Sequence, residues 1–285
     1  MGPPAFLDGW LLWREPLAVA VLAAALCAYL GVFIVLRRMV FVSAALSQMS
    51  GVGVACAFWL AAQLGYETHK APPWLDPLLL AFLFAAVGAA LFSVNLARRR
   101  LSSETLVAIG YLVAAASIIL VLNSPAVSQE SHEVNDLLYG NAVAVPDGAL
   151  PLMAAVALSV LAFHRVFYKD LVFVSFDGEM ARTIGYRTWI WDLLLFETFA
   201  IASSVATRSI GALPVFGFMV LPAAAALLLA QRLWQVFALS VLFAVVGTVA
   251  GYWVSWHFEL PTGASMVAVA GAFLLPGSVR LVRRR

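Results

Sequence analysis

The sequence predicts an all-α polytopic membrane protein of eight to nine spans. Two observations carry this. The 285 residues are 64% hydrophobic and only 11% charged, whereas soluble domains run at roughly 25% charged. The apolar residues also gather into successive runs of span length, about 20 residues each. Mean hydropathy is +0.97. No long stretch escapes these runs, so residues 1–285 read as one transmembrane domain. The formal charge of +2 gives no basic surface of the kind that binds nucleic acid.

The first run is Pro16–Leu36, closed by Arg37-Arg38. It is span-length and lacks a basic leading segment, so it is not expected to be a cleavable signal. The second, Val40–Leu64, opens with small and polar residues from Ser43 to Gly53, which suits close packing against other helices. A short loop with Glu67, His69 and Lys70 leads to Leu75–Leu96, which ends at Arg98-Arg99-Arg100. Glu104–Leu122 follows, then an acidic loop, 123–147, with no Lys or Arg. The fifth span is Gly148–Phe167. A polar patch, 175–186, separates it from the sixth, Trp189–Thr207. The seventh, Gly211–Ala230, is interrupted by Gly and Pro and reads as a gate or pathway element. Trp234–Trp256 and Thr262–Val279 close the chain, which ends in Arg283-Arg284-Arg285.

Basic residues orient the spans. Arg37-Arg38, Arg98–Arg100, Lys169–Arg187, Arg232 and Arg283–Arg285 fall on alternate loops, which are expected in the cytoplasm. The N-terminus, the acidic loop and the His257–Pro261 turn then lie outside, and the C-terminus inside. Arg208 is the exception.

Glu197 stands mid-span. A carboxylate there costs at least about 2.5 kcal/mol on insertion scales, so it faces either a wet route or a packing partner. Asp192 is expected to cap its helix or pair with Arg187. Ser203, Ser204 and Thr207 serve either a pathway or hydrogen bonds between helices. His69, His132 and His257 share the outer face without ligand spacing, and His164 lies near the inner end of its span. Cys27 and Cys56 read as packing residues. There is no G-x-x-x-x-G-K-[ST] and no pairing of nucleophile with base. The chain therefore reads as a non-enzyme that takes energy from another subunit or an ion gradient. The 175–186 patch reads as a docking element for a cytoplasmic partner.

Six segments, in order, resemble the permease subunits of the metal-type ABC importers, which carry zinc, manganese or iron. They are Tyr29–Phe41 with its Leu-Arg-Arg-Met turn, Ala44-Ala-Leu-Ser-Gln48, Asn135–Gly140, Phe176–Gly185, Ser209–Ala226 and Leu260-Pro-Thr-Gly263. The resemblance implies a type II importer permease fold in a bacterial inner membrane. It also implies a second permease, a homodimer or a heterodimer, with two cytoplasmic ATPases and an external binding protein. Phe176, Asp177, Glu179, Ala181, Arg182 and Gly185 would then form the coupling helix seated on the ATPase. ATP would act on that partner, and no cofactor is expected on this chain.

For the translocation pathway the expected residues are Ser47, Gln48, Glu197, Ser203, Pro214, Gly217 and Pro222. The family's Asp-Ala-Leu-Ser-His, whose Asp and His face the pathway, reads here with Ala44 and Gln48 at those places. The metal ligands therefore do not carry over. The cargo is either zinc or manganese passing with few ligands or with help from Glu197 and Met49, or a metal chelate or small organic cofactor. A degenerate partner subunit and a secondary carrier are the remaining readings.

Overall fold

The computed structural model describes residues 10–66, 72–93, 102–125, 145–146 and 148–276. His69, His132, the 135–140 segment, Arg98–Arg100 and Arg283–Arg285 lie outside these. Among the described residues the chain forms eleven α-helices: α1 (Trp10–Leu36), α2 (Phe41–Gln63), α3 (Pro77–Ser93), α4 (Ser103–Leu122), α5 (Ala149–Val166), α6 (Tyr168–Phe176), α7 (Gly178–Thr183), α8 (Thr188–Ile210), α9 (Ala212–Leu229), α10 (Leu233–Phe258) and α11 (Thr262–Ala272). Seven of them (α1, α2, α4, α5, α8, α9 and α10) are long and apolar enough to cross a membrane. The shorter apolar helices α3 and α11 bring the apolar set among the described residues to nine, where eight to nine spans were expected.

Helix ends follow local chemistry. Ser102 caps α4 by accepting from the Thr105 N–H at 3.1 Å. Such a cap satisfies one of the first-turn N–H groups that have no partner within the helix. The Gln235 side-chain oxygen accepts from the backbone N–H of Arg232 at 3.1 Å and holds the start of α10. Pro16 lies inside α1 and does not begin it.

The interrupted segment differs from expectation. The break falls at Gly211, with φ +87° and ψ 160°, between α8 and α9. This left-handed φ favours glycine, which has no Cβ to clash. Beyond it α9 runs on through Pro222 as one helix of 18 residues. Pro214 sits in its first turn, where the missing N–H is one the helix leaves unpaired anyway.

α1 and α2 run through the interior, while α4 and α5 turn most of their sides outward. α1 packs on α9 and α10, α2 on α3 and α4, α3 on α8, and α10 on α11. Lipid is as apolar as a leucine side chain, so burial of apolar surface does little to drive these contacts. Close approach and interhelical hydrogen bonds replace it. A Cβ on Gly31 would overlap the Met219 backbone, and one on Gly251 the Met266 backbone. The Ser240 hydroxyl of α10 donates to the Ala28 carbonyl of α1 at 2.9 Å.

Candidate functional site

Two assemblies carry polar chemistry. The first is a cavity of about 450 Å³ between α2, α4 and α9. α2 supplies Phe41, Ala44, Ser47 and Gln48 to its wall, α4 supplies Tyr111, Ala115, Ile118 and Ile119, and α9 supplies Ala212, Leu213 and Phe216. The spacing of 41, 44 and 48 places these α2 residues on one helical face. The Ser47 hydroxyl donates to the Ser43 carbonyl at 2.6 Å within its own helix. Gln48 and Tyr111 are both partly exposed. None of the eleven lining residues carries a charge, an imidazole or a thiol.

Of the expected pathway residues, the cavity gathers Ser47 and Gln48, with Ala44 beside them. The other five lie elsewhere. Ser203 is fully buried and its hydroxyl donates to the Ala200 carbonyl at 3.2 Å. Pro214 and Pro222 are buried in α9. Gly217 lets α9 approach Val267, whose Cγ2 a Cβ would meet at 2.8 Å. Glu197 is partly exposed, on the α8 stripe that also carries Ile190, Leu194 and Ile201.

The second assembly is the elbow formed by α6 and α7. The Asp177 carboxylate caps α7 by accepting from the Met180 N–H at 2.8 Å. Ala181 is fully buried, and its carbonyl accepts from the Tyr186 N–H at 2.9 Å. Gly185 turns the chain at φ +94°. The Arg182 Nε donates to the Thr188 hydroxyl at 2.9 Å, joining α7 to the start of α8. The Tyr186 hydroxyl donates to Asp170 of α6 at 3.1 Å, which holds its pKa above the usual phenol value. The outward side of the elbow is apolar and bare: Phe176, Met180 and Ile184 are 59%, 52% and 57% exposed. Glu179 is exposed beside them.

Arg37 ties this elbow to the bundle. Its Nη1 donates to Asp192 of α8 at 2.5 Å and its Nε to the Ser175 hydroxyl of α6 at 2.9 Å. The expected Arg187 partner for Asp192 is thus replaced by a residue 155 positions away. Sequence distance hid this pair: Arg37 reads as an orientation marker at a span end, and nothing local marks its partner. His164 was equally hidden. It is fully buried among Tyr29, Phe33 and Phe163, with Nε2 3.1 Å from the Thr198 hydroxyl. At the other end of α8, Arg208 lies 3.9 Å from Asp76. The exceptional basic residue therefore has an acidic neighbour at its own end of the bundle.

Among the described residues, nine apolar helices with a polar elbow between two of them and a cavity among three make a polytopic membrane bundle. The chain belongs to the ABC 3 transport family, whose model matches residues 12–280. It is 24% identical over 273 residues to the manganese import system permease protein ScaB of Streptococcus parasanguinis, covering 95% of this chain and 92% of that protein. It is 26% identical over 257 residues to the manganese transport system membrane protein MntC of Halalkalibacterium halodurans, covering 90% and 83%. Among solved structures, PsaBC from Streptococcus pneumoniae in complex with Fab superposes with a TM-score of 0.78 at 26% identity, covering 95% of this chain and 94% of that one. A metal-chelate-type ABC transporter in an inward-facing conformation shares the fold at 16% identity and a TM-score of 0.68, covering 95% and 88%.

Proposed function

We propose that this chain is the permease of an ABC importer that carries a divalent transition metal, manganese or zinc, across a bacterial inner membrane. The family match over nearly the whole length supports the class, and the relatives named for manganese import support the cargo. Hydrolysis belongs to a separate cytoplasmic ATPase, an external binding protein delivers the ion, and a second copy of the permease completes the pathway. The N-terminus lies outside and the C-terminus inside, following the basic loops.

The observation that carries this reading is the α6–α7 elbow. An exposed apolar stripe beside Glu179 and Arg182, braced from behind by Asp177, Tyr186 and Arg37, forms a knob with no covering among the described residues. Such a knob suits docking into a groove of the ATPase, where closure around ATP would rock α8. Phe176, Asp177, Glu179, Ala181, Arg182 and Gly185 are the coupling residues in this scheme. Ser47 and Gln48 face the ion.

The test is uptake by proteoliposomes holding the permease with its ATPase and binding protein. ATP-dependent accumulation of manganese or zinc, read by elemental analysis, is expected. ATPase activity stimulated by the binding protein with no ion accumulated would overturn the metal assignment.

A further inference from the structure

We propose that the cavity between α2, α4 and α9 passes the divalent cation with its water shell intact, through neutral oxygen acceptors that touch the shell and not the metal. This rests on the metal-importer reading. Direct ligation of first-row divalent ions draws on carboxylate, imidazole or thiolate groups. None of the eleven lining residues supplies one, and Glu197 lies outside the lining. Among the described residues no three His, Cys, Asp or Glu gather into a cluster.

The polar groups that remain are the Gln48 amide, the Tyr111 hydroxyl and the Ser47 hydroxyl. Ser47 is almost fully buried and donates its proton to the Ser43 carbonyl, so its hydroxyl has only acceptor capacity left to offer. Waters on a dication are polarised donors, and bonds from them to neutral oxygens are strengthened by the charge. Exchanging one such water for the Gln48 carbonyl would replace a neutral oxygen with another, so little drives the shell off. Space agrees with this: six waters at about 30 Å³ each need about 180 Å³, less than half of the 450 Å³ present. The cavity therefore discriminates weakly between ions of equal charge, and selectivity is exercised before the ion reaches it.

The experiment uses the complete importer in proteoliposomes and, in parallel, the purified permease–ATPase complex without the binding protein, desalted after exposure to manganese or zinc. Wild type is expected to accumulate the ion yet retain less than about 0.1 equivalent per permease, since no strong ligand set holds it. Gln48→Ala is expected to lower manganese uptake about fivefold, the effect of one lost acceptor. Gln48→His is expected to retain zinc and to slow zinc at least about tenfold more than manganese, because imidazole prefers zinc. Stoichiometric metal retained by wild type, or a loss of more than about 100-fold in Gln48→Ala at equal expression, would overturn intact-shell passage. Wild type that accumulates no divalent ion at all would instead overturn the importer reading beneath it.

Discussion

Arg37 and Asp192 form an ion pair at 2.5 Å in which the two side chains are only 8% and 14% exposed. The pair locks the end of α1 to the first turns of α8. Ser175, on the same guanidinium, adds α6 to the junction. The Arg37 guanidinium also lies 5.9 Å from the centroid of the Phe196 ring. Removing one member of a buried pair strands the other charge and costs about 3–5 kcal/mol, whereas replacing both by apolar residues is often neutral. Arg37→Met is therefore expected to lower the midpoint of thermal unfolding sharply in detergent, and Arg37→Met with Asp192→Leu to recover most of the loss. Equal losses in the single and double variants would show that the pair contributes through packing and not through charge.

The close approach of α1 to α9 gives a second prediction. A Cβ on Gly31 overlaps backbone, the Met219 carbonyl group, which cannot rotate away as a side chain would. Overpacking of this kind costs about 1–3 kcal/mol. Gly31→Ala is expected to reduce folded yield and thermal stability. Gly65→Ala is the contrast, since that position is open space and its cost is only the left-handed φ of +74°. Gly31→Ala that folds and melts like wild type would show that crowding against Met219 is relieved at no cost.

The spans were legible because lipid imposes one rule, a run of apolar residues, and that rule depends on composition alone. Seven of the nine expected runs coincide with helices to within a few residues at each end; the first helix begins earlier, at Trp10, and carries Pro16 inside it, and the last ends at Ala272, short of the expected Val279, which lies outside the described residues. The polar patch was legible too, as charge between apolar runs. The separate helix α6 was not, because Leu171, Val172, Phe173 and Val174 continue the apolar character of the span before them. The cavity was half legible. Ser47 and Gln48 are polar on an apolar helix, but Tyr111 and Phe216 come from segments whose own pattern says only that they are membrane helices. Which helices meet is a property of packing, and Arg37 with Asp192 shows how little of that is local.

Coupling through the elbow can be separated from folding. Glu179 is exposed at the start of α7, beside the apolar stripe. Surface substitutions of this kind usually shift stability by no more than about 0.5 kcal/mol. Charge reversal on a docking surface, by contrast, places like charges together or breaks complementarity, which costs several kcal/mol. Glu179→Arg is thus expected to melt like wild type while ion transported per ATP hydrolysed falls at least about tenfold. Stimulated ATPase activity and uptake both at wild-type level would remove Glu179 from the docking surface.

Glu197 carries the last prediction. It is partly exposed on α8, among isoleucine and leucine residues, and has no hydrogen bond or ion pair with any described residue. A carboxyl so placed weighs against insertion by roughly 2.5 kcal/mol or more. Glutamine has nearly the same shape without the acid, so Glu197→Gln should relieve part of that burden. If the carboxyl served only packing, expression and uptake would then be unchanged or rise together. If it faces a wet route or a second permease, uptake should fall about fivefold or more while expression and thermal stability hold or improve. Quantifying membrane-extracted protein beside ATP-driven manganese uptake in the same vesicles reads both effects at once. Parallel losses in the two would return Glu197 to a structural role.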